Sequence, residues 1–394
     1  MPDQTTIRLF TEHLQVEDER EVPVEERGEV LRRRSVTLDQ AEAARLSQVS
    51  SADVAPSISF TLFDDISVEG RITGIESAEQ GSTIFTGIIE QRGQVPEGSF
   101  ILIKQGDPAS GGYVMVDIHS GMRQFEIRTV GSGSYEVLEI DAFAPKPCTV
   151  LRPKGEDPEA ADNVPFVQAT PLQVDTVSAL ILYTTKAVQA ADNSEQKLRD
   201  LITMGIAKLN AALKDSKTEC QVSAIPVYAP WWEEGDDTLS ADISQMKNSP
   251  RIKQLREEHK GDVVALIREP DGIDLGVAWC MGESPTSFKG SAFCAVAFTH
   301  ISRYAVLAHE IGHLLGCDHN YDSRQCAKVP YAYGQWFEGN SGAVWGTVMS
   351  YEGDRILHFS NPDVSHDGKP TGKAEERDNA RRIRSTKATV SKYF

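Results

Sequence analysis

Between residues 57 and 140 apolar and polar side chains alternate with a period of two. The runs SISFTLFD, STIFTGIIE, SFILIKQG, GYVMVDI, RQFEIRTV and YEVLEID each send every second side chain to one face, and glycine-containing turns separate them. This predicts antiparallel strands and a β-rich first domain over residues 1–151. The first fifty residues are charged and read as helical at most in part. Residues 152–173, RPKGEDPEAADNVPFVQATPLQ, mix Pro, Gly and acidic residues in the composition of an exposed linker. Beyond it the period changes. VSALILY (177–183) reads as a buried strand, a helical-period segment runs to about Ala212, and VSAIPVY (222–228), DVVALI (262–267) and FCAVAF (293–298) read as further strands. Strands alternating with helices predict a three-layer α/β domain over residues 174–394. No internal repeat or low-complexity tract appears.

Composition narrows the functional classes. With 394 residues, 40% hydrophobic and 25% charged, the chain can bury a sizeable core. A formal net charge of −18 repels nucleic acid and anionic membrane surfaces, so neither is expected as a partner. No run of apolar residues is long enough to span a bilayer, and the opening MPDQTTIRLF lacks the basic-then-apolar order of a signal peptide. The expectation is a secreted monomer whose signal has been removed or whose export is unusual. Six cysteines, Cys148, Cys220, Cys280, Cys294, Cys317 and Cys326, sit in close couples that suggest two local disulfides and an oxidising compartment.

The chemistry concentrates in HEIGHLLGCDH, residues 309–319. On a helix His309 and His313 lie one turn apart, so both imidazoles face one way and can share a zinc ion, with Glu310 beside them. Gly316 can adopt the left-handed conformation that ends the helix and swings His319 round as a third ligand. Three protein ligands leave a fourth position for water, the mark of a catalytic zinc site. Glu310 is then placed as general base. A bare His-Glu-x-x-His occurs by chance in roughly one chain in twenty of this length, and the added Gly and His lower that about 400-fold.

This string, with the downstream TVMSY, resembles the metzincin zinc metallopeptidases. The resemblance implies that Met349 forms an apolar floor beneath the histidines and that Tyr351 hydrogen-bonds a developing oxyanion or ligates zinc; the plain alternative for Tyr351 is a packed aromatic with a satisfied hydroxyl. VDTVSALILYTTKAV, GIAKLNAAL, GDVVALIRE and the tail FSNPDVSHDGKPTG…DNARRI are similar to the reprolysin-like bacterial peptidyl-Asp metalloendopeptidases over residues 174–394. The fold implied is an α/β (α+β) metzincin-like catalytic domain with a twisted mixed sheet and an active-site helix, preceded by a β-rich prodomain. Reprolysin-like motifs place Asp after the third histidine, where this chain has Asn320. Asn can make an uncharged version of that residue's bond to the methionine-turn region. The family likeness also implies cleavage on the amino side of Asp, which calls for a cation in the pocket, and YEGDRILHF offers Arg355; the competing reading is a surface arginine paired with Asp354 or Glu352.

Against this background PKPC, residues 145–148, resembles the prodomain motif in which a cysteine thiolate caps the zinc of a latent precursor, although Thr149 stands where glycine is usual. The alternative is structural: if Cys280 pairs with Cys294 and Cys317 with Cys326, Cys148 is left to bond Cys220, and spacing alone cannot choose among the connectivities. WWEEGDD (231–237) offers acidic groups for calcium, and reads more simply as a solvated loop anchored by one Trp. His300, His358 and His366 are assigned no ligand role. The run Arg32–Arg34 reads as a solvated face or a processing site. The whole points to a secreted zinc endopeptidase made as a latent precursor and acting on protein or peptide substrates. The rival readings are a zinc hydrolase of another amide, and an adhesion or binding protein with a residual metal site, for which an intact Glu310 would serve no purpose.

Overall fold

The computed structural model describes residues 6–12, 29–52, 56–78, 81–90, 97–107, 111–131, 133–142, 148–152, 174–234, 238–270, 272, 274–326 and 329–394. Contacts divide the chain into two compact units, Met1–Ala144 and Pro145–Phe394.

The first unit is one ten-stranded sheet. Its order begins with Thr6–Arg8 and runs through Ser57–Phe63, Ile66–Ser77, Ser82–Ile89, Gly98–Gln105, Tyr113–Ser120, Arg123–Gly131, Ser134–Ile140 and Val30–Leu38 to Phe10–Glu12. The first and last strands in that order are separated in the chain by Leu9 alone, so the two edges must meet and the sheet closes on itself as a barrel. Alternate residues of each strand fill the interior: Ile58, Phe60 and Leu62 are fully buried and Phe60 meets Phe100 edge-on at 5.4 Å. The helix Gln40–Ser47, capped by Asp39, adds Ala43 and Leu46 to this core. The charged opening segment contains the nine-residue strand Val30–Leu38, which its charge hid. Arg32, Arg33 and Arg34 lie in that strand and pair with Glu139, Glu136 and Asp64, so a protease would have to strip a paired strand from the sheet to reach them.

The second unit is built on a six-stranded mixed sheet ordered Cys148–Leu151, Gly276–Trp279, Phe293–Ala297, Val263–Arg268, Asp175–Tyr183, Cys220–Tyr228. Gly276–Trp279 runs antiparallel to Phe293–Ala297, and Cys148–Leu151 runs parallel to Gly276–Trp279. Cys148–Leu151, assigned from sequence to the end of the first domain, is therefore an edge strand of the second unit's sheet. One sheet face packs under the helices Leu239–Asn248 and Pro250–His259, through Leu180, Leu182, Val264, Leu266 and Phe293. Against the other lie the long helix Glu195–Asp215, capped by Ser194, and the helix Val306–Leu314. That last helix is buried at every position and is entered through Tyr304 and Ala305, both in the left-handed region (φ 53° and 52°). Gly316 (φ +100°) ends it, as its sequence position predicts. The chain then forms small sheets and the C-terminal helix Asn379–Val390, whose Thr386 hydroxyl donates to Leu315 O at 2.7 Å.

Candidate metal centre

The helix Val306–Leu314 presents His309 and His313, and the turn at Gly316 returns His319 on the short strand Asp318–Asn320. The three Nε2 atoms stand 3.1–3.2 Å from one another. These approaches are not hydrogen bonds. His309 Nδ1 faces Val348 O at 2.8 Å and His313 Nδ1 faces Cys317 O at 2.9 Å, so each of these rings carries its proton on Nδ1 and turns a bare lone pair inward. Burial drives all three histidines toward the neutral form: His313 is pushed down to about 4, and His309 and His319 lie well below the usual range. Converging neutral lone pairs suit a cation. A tetrahedral ion with bonds of ~2.0–2.1 Å to nitrogen places its ligands about 3.3 Å apart, close to the spacing found.

Cys148 joins them. One ligand atom from each of Cys148, His309, His313 and His319 falls within 4.8 Å of every other, the only such group of three or more His, Cys, Asp or Glu among the described residues. The thiol is held protonated by burial and then by the Glu310 carboxyl beside it. Glu310 is itself raised to about 8 by burial, which outweighs the lowering effects of Cys148 and Arg355, and neither of its oxygens has a well-formed hydrogen bond. A dication here would replace the thiol proton and relieve the carboxylate, so this donor set fits zinc.

The surroundings fix these groups. Cys148 is in register with Gly276, where an added Cβ would stand 2.4 Å from Glu310 Oε1, so only glycine leaves room for the carboxyl. Met349 is fully buried under the helix, its Sδ 2.6 Å from where a Cβ on Gly312 would lie. The Tyr351 hydroxyl donates to Cys148 O at 2.8 Å and lies 2.8 Å from His319 Nε2. Asn320 Oδ1 accepts from Tyr351 N at 3.2 Å, the uncharged link to the methionine turn that its identity allows.

Residues 173–360 match metallo-peptidase family M12. Over that stretch the chain is similar to the M12 metallopeptidases. Relatives along most of the chain agree: the peptidyl-Asp metalloendopeptidase of Stenotrophomonas maltophilia (strain R551-3) is 25% identical over 375 residues, covering 87% of this chain and 84% of that protein. The protein of the same name from Xanthomonas campestris pv. campestris is 24% identical, covering 89% and 85%. Among solved structures, metalloproteinase-II from Bacteroides fragilis aligns with TM-score 0.40 at 14% identity over 70% of this chain and 84% of that one, a likeness too loose to carry an argument. The enzyme is a zinc metalloendopeptidase.

The second unit departs from the sequence expectations in its cysteines. The disulfide is Cys280–Cys326, with Cα atoms 5.5 Å apart, while Cys148, Cys220, Cys294 and Cys317 are free thiols. Cys294 lies in the sheet interior two residues out of register with Cys280, opposite Ala278, and Cys317 points at Asn379 O, so neither expected short-range pair forms. Arg355 is not a surface residue: it is 6% exposed, Nη1 donates to Tyr304 O at 2.7 Å and Nη2 to Ser350 O at 2.8 Å. Burial pushes it down to about 10, against the raising influence of Cys148, Tyr351 and Glu310. In WWEEGDD, Trp232 anchors the loop by donating to Asp242 at 3.1 Å and Glu234 engages Arg268 at 3.5 Å; residues 235–237 lie outside the described residues. His300, His358 and His366 are outside the metal cluster.

Sequence reasoning passed over Asp274, Gly276 and Asp318. Asp274 accepts from Thr149 Oγ1 at 3.0 Å and its charge helps raise Glu310. Asp318, fully buried, accepts from the backbone N–H of His319 (2.8 Å), Gln325 (3.1 Å) and Cys326 (2.8 Å). An acid wedged inside the histidine motif was the available signal for Asp318. Nothing local marked Gly276.

Proposed function

We propose that this chain is the latent form of a secreted, monomeric zinc endopeptidase, with Cys148 as fourth zinc ligand and Glu310 as general base. The observation that carries the reading is the convergence of the Cys148 thiol on the three histidines. Zinc, when bound, supplies a Lewis acid that polarises the scissile carbonyl and turns a coordinated water into a nucleophile near neutral pH. With the strand Cys148–Leu151 in place, the thiol fills the position that water needs and the strand covers the edge of Gly276–Trp279. Once it leaves, Glu310 takes the proton of the attacking water and passes it to the departing amine. Tyr351, released from the Cys148 carbonyl, turns its hydroxyl to the developing oxyanion. Met349 keeps the floor apolar.

The reading includes cleavage before Asp. Arg355 supports it: a buried guanidinium within the electrostatic reach of His309, Glu310 and Cys148, held by backbone carbonyls and with Nε still unbonded, offers a carboxylate-shaped fork to a substrate side chain. Activation would follow from one molecule cutting another in the linker, at Ala161–Asp162 or Glu156–Asp157, both outside the described residues. Val174–Asp175 is a poorer site, because Asp175 already opens a sheet strand and its carboxylate lies 3.4 Å from Lys387. Hydrolysis of a denatured protein before and after linker cleavage, with Glu310→Ala as control, tests the reading. Full activity in Glu310→Ala, or none in the cleaved wild type, would dismiss it.

A further inference from the structure

The disulfide lies against the metal centre. Cys326 Sγ is 3.9 Å from His313 Nδ1, on the ring that turns Nε2 to the cluster. Cys326 N and Gln325 N share the Asp318 carboxylate with His319 N, so the third histidine's backbone and the cystine end of its loop hang on one buried group. The other half-cystine, Cys280, directly follows the strand Gly276–Trp279 that faces Glu310. The bond thus ties the loop bearing His319, across 46 residues of sequence, to the rigid sheet. It also meets the strand that carries Cys148: Cys280 N donates to Leu151 O at 2.8 Å and Arg152 Nε to Gln325 O at 2.6 Å.

We propose that Cys280–Cys326 is a redox lock on zinc retention. This rests on the zinc site proposed above. In the closed form the bond clamps the Asp318–Cys326 loop and holds His319 in its ligand position. A dithiol donor opens it by exchange: two electrons and two protons pass to the cystine, giving two thiols, and the donor becomes a disulfide. The loop is then held to the sheet by hydrogen bonds without a covalent tie, and the metal leaves faster. In a reducing compartment the protease would keep its metal poorly, and oxidation after export would complete the centre. Groups that orient a metal ligand from behind typically govern roughly 10- to 100-fold in affinity, which sets the expected scale.

The test uses the full chain loaded with one equivalent of zinc. Its release to a chromogenic chelator is followed before and after a phosphine, which opens disulfides without competing for the metal as dithiols do; opening is scored by mass and far-ultraviolet circular dichroism is recorded in parallel. Release at least tenfold faster with unchanged dichroism is the expected result, and the doubly substituted Cys280→Ser, Cys326→Ser chain should match the reduced wild type. Equal release after verified opening overturns the lock. So does a bond that resists the phosphine in the folded protein, or metal loss that merely tracks loss of secondary structure, since the cystine would then be a general staple. If the serine variant does not fold, the wild-type reduction still decides. Failure of the oxidised wild type to bind zinc at all would instead remove the zinc site itself.

Discussion

Replacing Glu310 by Gln should make the metal-free protein more stable while it abolishes hydrolysis, and the gain should depend on pH. Glu310 is fully buried beside helix and sheet, and burial raises its carboxyl from 4.5 to about 8. At 1.36 kcal/mol per pH unit, the ionised carboxylate costs the folded metal-free state roughly 5 kcal/mol relative to the unfolded chain. The sign follows from proton counts. Below pH 4.5 both states hold the proton and Glu310 contributes no difference. Between 4.5 and 8 the unfolded chain ionises while the folded one keeps its proton, so wild-type stability falls as pH rises; above 8 the loss is complete. Gln cannot ionise, so the stability gap between variant and wild type should widen by about 1.4 kcal/mol per pH unit across that window and then level off. Effects of the histidines are common to both chains and cancel. All five tryptophans lie beyond residue 144, so urea titrations read by tryptophan fluorescence in the presence of a chelator report on the second unit alone. Stoichiometric zinc should shrink the gap, because a dication beside the carboxylate favours its charged form. A gap that stays constant from pH 5 to pH 8 would refute the claim that Glu310 is buried uncompensated against the strand at Gly276.

Cys148→Ala should give a full-length chain that hydrolyses a denatured protein without prior cleavage, whereas equal latency in both forms would remove the thiol from the mechanism. Arg355→Ala should relax any preference for Asp after the cut bond by at least tenfold in kcat/KM on a peptide library; an unchanged cleavage pattern would leave the arginine as a backbone brace between Tyr304 and Ser350. Gly312→Ala forces a methyl onto Met349 Sδ and should cost ~1–3 kcal/mol of stability with weaker zinc binding, read by denaturation and metal competition. Because burial keeps His309, His313 and His319 neutral, acid should destabilise the metal-free domain as pH falls from 6.5 toward 4, and His313→Gln should flatten that fall.

Features governed by local pattern could be read along the chain. The period-two runs gave strands such as Ser57–Phe63, and the histidine spacing placed His309 and His313 on one helical face, because both depend on a few neighbouring residues. Long-range pairings could not be read. That Thr6–Arg8 and Phe10–Glu12 end up on opposite edges of one sheet and so close a barrel depends on the partners of every strand between them. The nine-residue strand Val30–Leu38 was masked by three arginines whose charges are met by Glu139, Glu136 and Asp64 on other segments. Cystine pairing failed for the same reason: closeness in sequence between Cys317 and Cys326 gave way to a bond spanning 46 residues. The choice between a pocket cation and a surface arginine at Arg355 could not be read either, because its partners are carbonyls, which no side-chain pattern announces.

The central claim is a zinc centre of three histidines closed by the Cys148 thiolate in the uncut chain. X-ray absorption at the zinc edge, on full-length protein purified without chelator, tests it most directly. One equivalent of zinc bound by three nitrogens and one sulfur, with the sulfur lost in Cys148→Ala and after linker cleavage, is the predicted result. Absence of stoichiometric zinc, or a latent chain whose zinc has only nitrogen and oxygen neighbours, would contradict it.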